Sequence, residues 1–296
     1  MLSVFQSIHS TRVIFSLAMA LCISVTAFGQ TTPRLWLIGD STVNNNINGG
    51  VGWGNVVQSE FTIDVVNRAV GGRSARSFYP EYDYRINQFP TNFGGPLNPG
   101  DYLIMQFGHN GGIGNVGASY LNELAGIGEE TASGTDKNGN PETVHTFGWY
   151  LRQMVAETRA NGGIPIIASR VPRAGDTNPD ASEFVASKAF WAQQVAEQEN
   201  VGFLDLYNDV TNEYSAQRVQ GLDIRNTYFG PDATHTNTAG AELNAEFVAT
   251  GVGSLTGEAG TLKQYLVNPP STVPEPSSTL LLAAGSAWLC SRRRRS

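Results

Sequence analysis

Cysteine is almost missing from this chain: its 296 residues include two, Cys22 and Cys290, each in a terminal segment unlike the sequence between them. That central stretch therefore has no means to form a disulfide framework or to use a thiol nucleophile. Histidine is scarce as well, at four residues, and no His/Cys group has the spacing of a metal site. Positive charge is in deficit, with 19 Lys and Arg against 26 Asp and Glu. Setting aside Arg12, Arg292 to Arg295 and Glu275 leaves 14 basic and 25 acidic residues, a net charge of −11. So acidic a chain is a poor partner for nucleic acid, whose binding rests on neutralisation of phosphates by Lys and Arg. No apolar run reaches the roughly 20 residues that cross a bilayer as a helix, and no internal repeat is visible.

The two ends carry addresses rather than fold. Residues 1–30 place Arg12 ahead of the apolar stretch Val13 to Ile23 and close on Ala27-Phe28-Gly29, the layout of a secretory signal peptide; a retained N-terminal anchor is the alternative. At the other end, Pro269-Pro270-Ser271-Thr272-Val273-Pro274-Glu275-Pro276 reads as an extended linker. It leads into the mostly apolar Thr279 to Cys290 and then the four arginines. That stretch would make a helix of about 18 Å, short of a ~30 Å hydrocarbon core, though snorkelling arginines lengthen its reach enough for transient membrane association. The basic cluster predicts a cytoplasmic C-terminus. Val273-Pro274-Glu275-Pro276, the apolar stretch and the basic end together resemble the PEP-CTERM sorting signal of Gram-negative bacteria. The resemblance implies export to the cell surface or beyond, an exosortase-type partner and removal of residues 269–296, leaving 31–268 as one domain.

Within that domain five short apolar or β-branched runs read as buried strands: Arg34 to Ile38, Thr62 to Asn67, Asp101 to Phe107, Ile164 to Ser169 and Val201 to Leu206. Helical periods fall between them. Val144, Phe147, Leu151, Met154, Val155 and Thr158 recur at three and four residues across Val144 to Asn161, and Glu183 to Asn200 and Thr238 to Thr250 behave similarly. Alternating strands and helices predict an α/β fold, a five-stranded parallel sheet with helices on both faces.

Three motifs follow predicted strands: Gly39-Asp40-Ser41-Thr42 the first, Gly71-Gly72 the second and Gly108-His109-Asn110 the third. All three open on the edge where doubly wound sheets bind ligands. Far downstream, Asp232-Ala233-Thr234-His235 supplies a carboxylate and a base. A serine hydroxyl attacks a carbonyl when a neighbouring base takes its proton and fixed donors meet the oxyanion. Ser41 is the candidate nucleophile, His235 the base, because imidazole titrates near neutral pH, and Asp232 the group that orients it. The candidate oxyanion donors are the backbone N–H groups of Ser41 and Gly72 and the side-chain amide of Asn110. Asp40, His109 and His145 are expected to be structural, Asp40 by bonding nearby backbone. Asn44-Asn45-Asn46 and Glu129-Glu130 read as solvated loop. Gly112-Ile113-Gly114-Asn115-Val116-Gly117 matches G-x-G-x-x-G, but a dinucleotide site also needs a following strand that ends in an acid, and Asp136 lies in a turn-rich stretch instead.

These four stations are similar to the four blocks of the SGNH (GDSL) hydrolase superfamily. More narrowly, Asn67 to Ser77, Gln106 to Asn110, Val144 to Leu151 and Thr234 to Asn237 resemble rhamnogalacturonan acetylesterases. The resemblance implies a three-layer α/β/α fold of flavodoxin-like strand order, no cofactor and no metal. It also implies removal of acetyl groups from polysaccharide through an acetyl-enzyme. A broader lipase or arylesterase and a non-catalytic carbohydrate-binding surface protein are the rival readings. Arg73 and Arg76 in the second block are tentative contacts for a uronate carboxylate, with Arg170 and Arg173 as further candidates. One position departs from the pattern: Gly111 follows Asn110 where family members usually carry Asp, which predicts a less firmly held Asn110 loop.

Overall fold

In the computed structural model, which describes residues 32–88, 95–177 and 187–269, the first apolar run becomes a strand shifted by one residue and the other four become strands shorter than predicted. The strands are β1 (Leu35–Gly39), β2 (Val65–Asn67), β3 (Tyr102–Gln106), β4 (Thr131–Thr135), β5 (Pro141–His145), β6 (Ile164–Ala168) and β7 (Gly202–Leu204). Five of them form a wholly parallel sheet in the order β2-β1-β3-β6-β7. Strand β1 alternates its side chains between two cores, as a period of two requires. Leu35 and Leu37 join Ile104 and Ile166 on one face, and Trp36 and Ile38 join Leu103, Met105 and Ile167 on the other.

Helices cover both faces. On one lie α1 (Ala75–Phe78), α2 (Tyr82–Ile86), α3 (Phe147–Ala160) and α4 (Lys188–Glu199), which bury Phe78, Tyr82, Leu151, Met154 and Val195. On the other, α5 (Leu206–Val219) and α7 (Thr238–Ser254) contribute Leu206, Ala245, Val248 and Val252. The short α6 (Ile224–Tyr228) joins α5 in a satellite cluster of Val210, Tyr214, Ile224 and Phe229. The three layers match the sequence expectation.

Val144 and His145, predicted to open a helix, instead end β5. Helix α3 starts only at Phe147, because the Thr146 side chain caps it by accepting from the Trp149 N–H at 3.1 Å. The β4–β5 hairpin was not expected. Its turn is closed by Asp136, whose carboxylate accepts from the backbone N–H groups of Asn138 and Asn140, each at 2.8 Å.

Near the end of the described chain, the Thr62 N–H donates to Tyr265 O at 2.8 Å and the Val267 N–H to Glu60 O at 2.9 Å. These contacts sit at the edge where the parallel strands begin. The predicted signal peptide, the sorting tail and the first residues of the predicted helix from Glu183 lie outside the described residues.

Candidate active site

Strand order brings the site together. The chain leaves β1 for β2 on one side and returns to β3 on the other, so the loops after β1 and β3 part at their C-terminal ends and leave a crevice. Ser41 follows β1, Gly72 follows β2 and Asn110 follows β3, while Asp232 and His235 lie between α6 and α7. All five line one cleft of about 750 Å³. A separate cavity of about 450 Å³, lined by Arg159, Asn200 and Leu255, holds none of these groups.

The turn that presents Ser41 is built by its neighbour. Asp40 is fully buried; its Oδ1 accepts from the N–H and the hydroxyl of Thr42 (2.9 and 2.8 Å), and its Oδ2 accepts from the His109 N–H (3.3 Å). Burial pushes the Asp40 carboxyl up from its usual range, and the bonds from Thr42 and His109 oppose that rise. One carboxylate thus ties the serine turn to the Asn110 loop, the structural role expected for it.

His235 Nε2 lies 2.9 Å from Ser41 Oγ, and its Nδ1 lies 2.7 Å from Asp232 Oδ2. Asp232 Oδ1 accepts from the N–H groups of Thr234 and His235 at 2.7 and 2.8 Å. Partial burial works against ionisation of Asp232, yet the bonds from the His235 ring and these two N–H groups outweigh it and hold the carboxyl at about 2. The histidine loop is stitched to the loop after β1, since the Val51 N–H donates to Thr236 O (2.7 Å) and the Thr236 hydroxyl to Val51 O (2.8 Å).

The remaining predicted residues divide between the cleft and elsewhere. Gly72 sits at the cleft wall in a left-handed conformation, φ +75°, that disfavours any residue with a Cβ. Asn110 Nδ2 donates to Arg73 O at 3.2 Å, which uses one of the two amide hydrogens. His109 also lines the cleft. Burial, followed by the charges of Arg170 and Arg173, pushes its imidazole well below the usual value, so it stays neutral beside His235. His145 stacks on Trp149 at 3.7 Å.

Arg73 and Arg76, the tentative uronate contacts, lie away from the Ser41 cleft. The Arg76 guanidinium is buried and bonds Glu142 Oε2 (2.8 Å), Thr135 O (2.8 Å) and Asn122 O (2.6 Å), while Arg73 pairs with Glu81 at 2.9 Å. Both face a second cavity of about 380 Å³ beside the β4–β5 hairpin, and neither lines the Ser41 cleft. Arg170 pairs with Asp176 at 2.8 Å, which leaves Arg173 as the arginine at the cleft. Asn44, Asn45, Asn46 and Asn48 line it too, although a run of asparagines carries no sequence signal that separates a cleft wall from a solvated loop. The G-x-G-x-x-G stretch folds back on itself, the Gly114 N–H donating to Glu123 O at 2.8 Å, and opens no helix. Among the described residues no group of three or more His, Cys, Asp or Glu is arranged to hold a metal ion.

The fold is the three-layer α/β/α arrangement, and the class is that of the carboxylic ester hydrolases. The chain belongs to the GDSL-like lipase/acylhydrolase family, whose model matches residues 37–243. Residues 272–295 match the PEP-CTERM protein-sorting motif, which indicates export. The chain is 29% identical over 224 residues to a rhamnogalacturonan acetylesterase of Emericella nidulans, covering 74% of this chain and 83% of that one. It is 28% identical over 232 residues to a probable rhamnogalacturonan acetylesterase of Bacillus subtilis, covering 75% of this chain and 93% of that one. A Bacillus subtilis protein of known crystal structure shares the fold, with a TM-score of 0.51 and 22% identity; the match covers 75% of this chain and spans 56% of that one.

Proposed function

We propose that the chain is an exported serine esterase that removes acetyl groups from polysaccharide, of the rhamnogalacturonan acetylesterase kind. The observation that carries this is the run of contacts from Ser41 Oγ through His235 to Asp232, 2.9 and 2.7 Å. Ser41 Oγ attacks the acetyl carbonyl as His235 Nε2 takes its proton, and Asp232 holds Nδ1–H and so fixes the tautomer. The oxyanion is met by the N–H groups of Ser41 and Gly72 and by the Asn110 amide hydrogen not given to Arg73. His235 returns the proton to the departing sugar oxygen. Water, activated by the same imidazole, then attacks the acetyl-enzyme and releases acetate and free Ser41.

The lining favours sugar over lipid. Asparagine amides offer donors and acceptors to hydroxyl groups, and Arg173, exposed at the rim, offers a fork to the carboxylate of an acidic sugar. One experiment tests both parts: acetate release from neutral and uronate-containing acetylated polymers by the wild type, Ser41→Ala and Arg173→Ala. Ser41→Ala is expected to abolish release from both with the fold intact, and Arg173→Ala to raise KM for the acidic polymer alone. Retained activity in Ser41→Ala sinks the nucleophile assignment, and equal behaviour of Arg173→Ala on both polymers removes the uronate contact.

A further inference from the structure

We propose that Lys188 and Glu123 are positioning residues for the oxyanion site, acting on the Asn110 loop from behind the cleft; the inference rests on the esterase reading above. Lys188 Nζ lies 3.0 Å from the carbonyl oxygen of Asn110, 3.0 Å from that of Gly111 and 2.6 Å from Glu123 Oε2. Of the ammonium's three N–H donors, two go to the carbonyls of residues 110 and 111, and Glu123 Oε2 supplies the counter-charge. The Phe147 ring, 5.4 Å from Nζ, adds a cation–π contact. Glu123 is fully buried and Lys188 nearly so. Glu123 Oε1 accepts from the Arg76 N–H at 2.9 Å, and its Oε2 has the ion pair with Lys188 but no hydrogen bond.

Taking two charges out of water is costly even when they pair. Here the pair sits behind two successive peptide groups, the second of which is also held by its Gly112 N–H, donated to Asn122 Oδ1 at 2.7 Å. Residue 111 is in the left-handed region, φ +75°, and a Cβ there would stand 2.0 Å from Leu121 O, so no side chain at this position fits, let alone one able to brace the loop. Lys188 supplies the brace from α4, gripping the carbonyls of residues 110 and 111, and Glu123 anchors Lys188. The segment between is closed on the same glutamate, whose N–H donates to Gly112 O at 3.1 Å. On the cleft side the Asn110 amide is held by Arg73 O. Asn110 is thus fixed from both sides, and the loop that the sequence predicts to be loosely held is clamped. Neither Lys188 nor Glu123 lines the cleft; their hold on the reaction passes through Asn110, while the Lys188 charge also favours the ionised form of the buried Asp40.

The test is a mutant cycle in the full-length chain, read as kcat and KM for p-nitrophenyl acetate. The double variant Lys188→Met with Glu123→Gln removes both charges of the pair at once at nearly constant volume, so neither member is left facing an unpaired partner. It is expected to lower kcat about 10- to 100-fold at unchanged KM, less than the ~10²- to 10³-fold typical of deleting an oxyanion donor outright. In an Asn110→Ala background the same pair of changes is expected to cost nothing more, because the group they position is gone. A kcat within about threefold of wild type, or an equal loss with and without Asn110, overturns the proposal, the latter being the signature of a role in folding alone. If the double variant does not fold, Glu123→Gln alone keeps the acceptor for Arg76 and carries the same cycle with the same readings. A wild type without esterase activity defeats this proposal together with the reading beneath it, whereas an active wild type with an additive cycle defeats this one only.

Discussion

Replacing Asp232 by Asn tests the tautomer argument at the site. The asparagine keeps one oxygen for the N–H groups of Thr234 and His235, now at 2.7 and 2.8 Å, and that pair of bonds fixes its orientation. Its NH2 then faces His235 Nδ1 where a carboxylate oxygen sits at 2.7 Å. A donor in that place selects the imidazole with Nδ1 bare and Nε2 protonated, so a proton, not a lone pair, points at Ser41 Oγ. Restoring the productive tautomer costs about 1–3 kcal/mol, the range for a buried donor left without its acceptor. Loss of the attraction between carboxylate and imidazolium adds about 1–2 kcal/mol, kept small by solvent screening, because the Asp232 side chain is 50% exposed. The two together predict a kcat lower by roughly 30- to 5000-fold, at 1.36 kcal/mol per tenfold. Initial rates with p-nitrophenyl acetate give the magnitude, and the 15N shifts of the His235 ring report which nitrogen carries the proton. A kcat within about threefold of wild type, with Ser41→Ala inactive in the same assay, refutes the reasoning.

The other predictions concern charge and stability. Arg76→Ala is expected to destabilise the fold by about 2–4 kcal/mol in urea denaturation, since Thr135 O and Asn122 O lose a buried donor while Glu142 stays partly solvated. Arg73→Ala, which breaks a half-exposed pair with Glu81, is expected to cost under about 1 kcal/mol; equal losses for the two arginines contradict the assignment. The Asp232 carboxyl is depressed to about 2, so its contribution to stability is present above the ordinary carboxyl value and is lost as pH falls through about 2. A carboxyl 13C titration of Asp232 with a midpoint above about 4 removes the basis of that statement.

What the sequence disclosed, and what it hid, follows from how each signal is carried. Ser41, Gly72 and Asn110 could be placed because strand ends are marked by apolar runs and their C-terminal edge is where parallel sheets present groups, and Asp232 and His235 because a carboxylate three residues before a histidine is the pattern of a base with its orienting partner. The β4–β5 hairpin went unread. Its strands Thr131–Thr135 and Pro141–His145 contain Gly, Ser, Pro and Glu and are largely exposed, so no apolar alternation betrays them. Part of what holds them is the guanidinium of Arg76, a contact more than fifty residues away in sequence. Arg76 was placed wrongly and Lys188 went unread for a related reason. Charged side chains are mostly exposed, and the partners that permit their burial, Glu142 and Glu123, lie far along the chain. Pattern reading sees local order, whereas the clamp behind Asn110 is assembled from three distant segments.

The pairing of Glu60 and Thr62 with Tyr265 and Val267 gives the domain two poles. The described chain departs beside the edge where the strands start, while Ser41, Gly72 and Asn110 follow the edge where they finish. The last described residues therefore lie at the pole opposite the cleft.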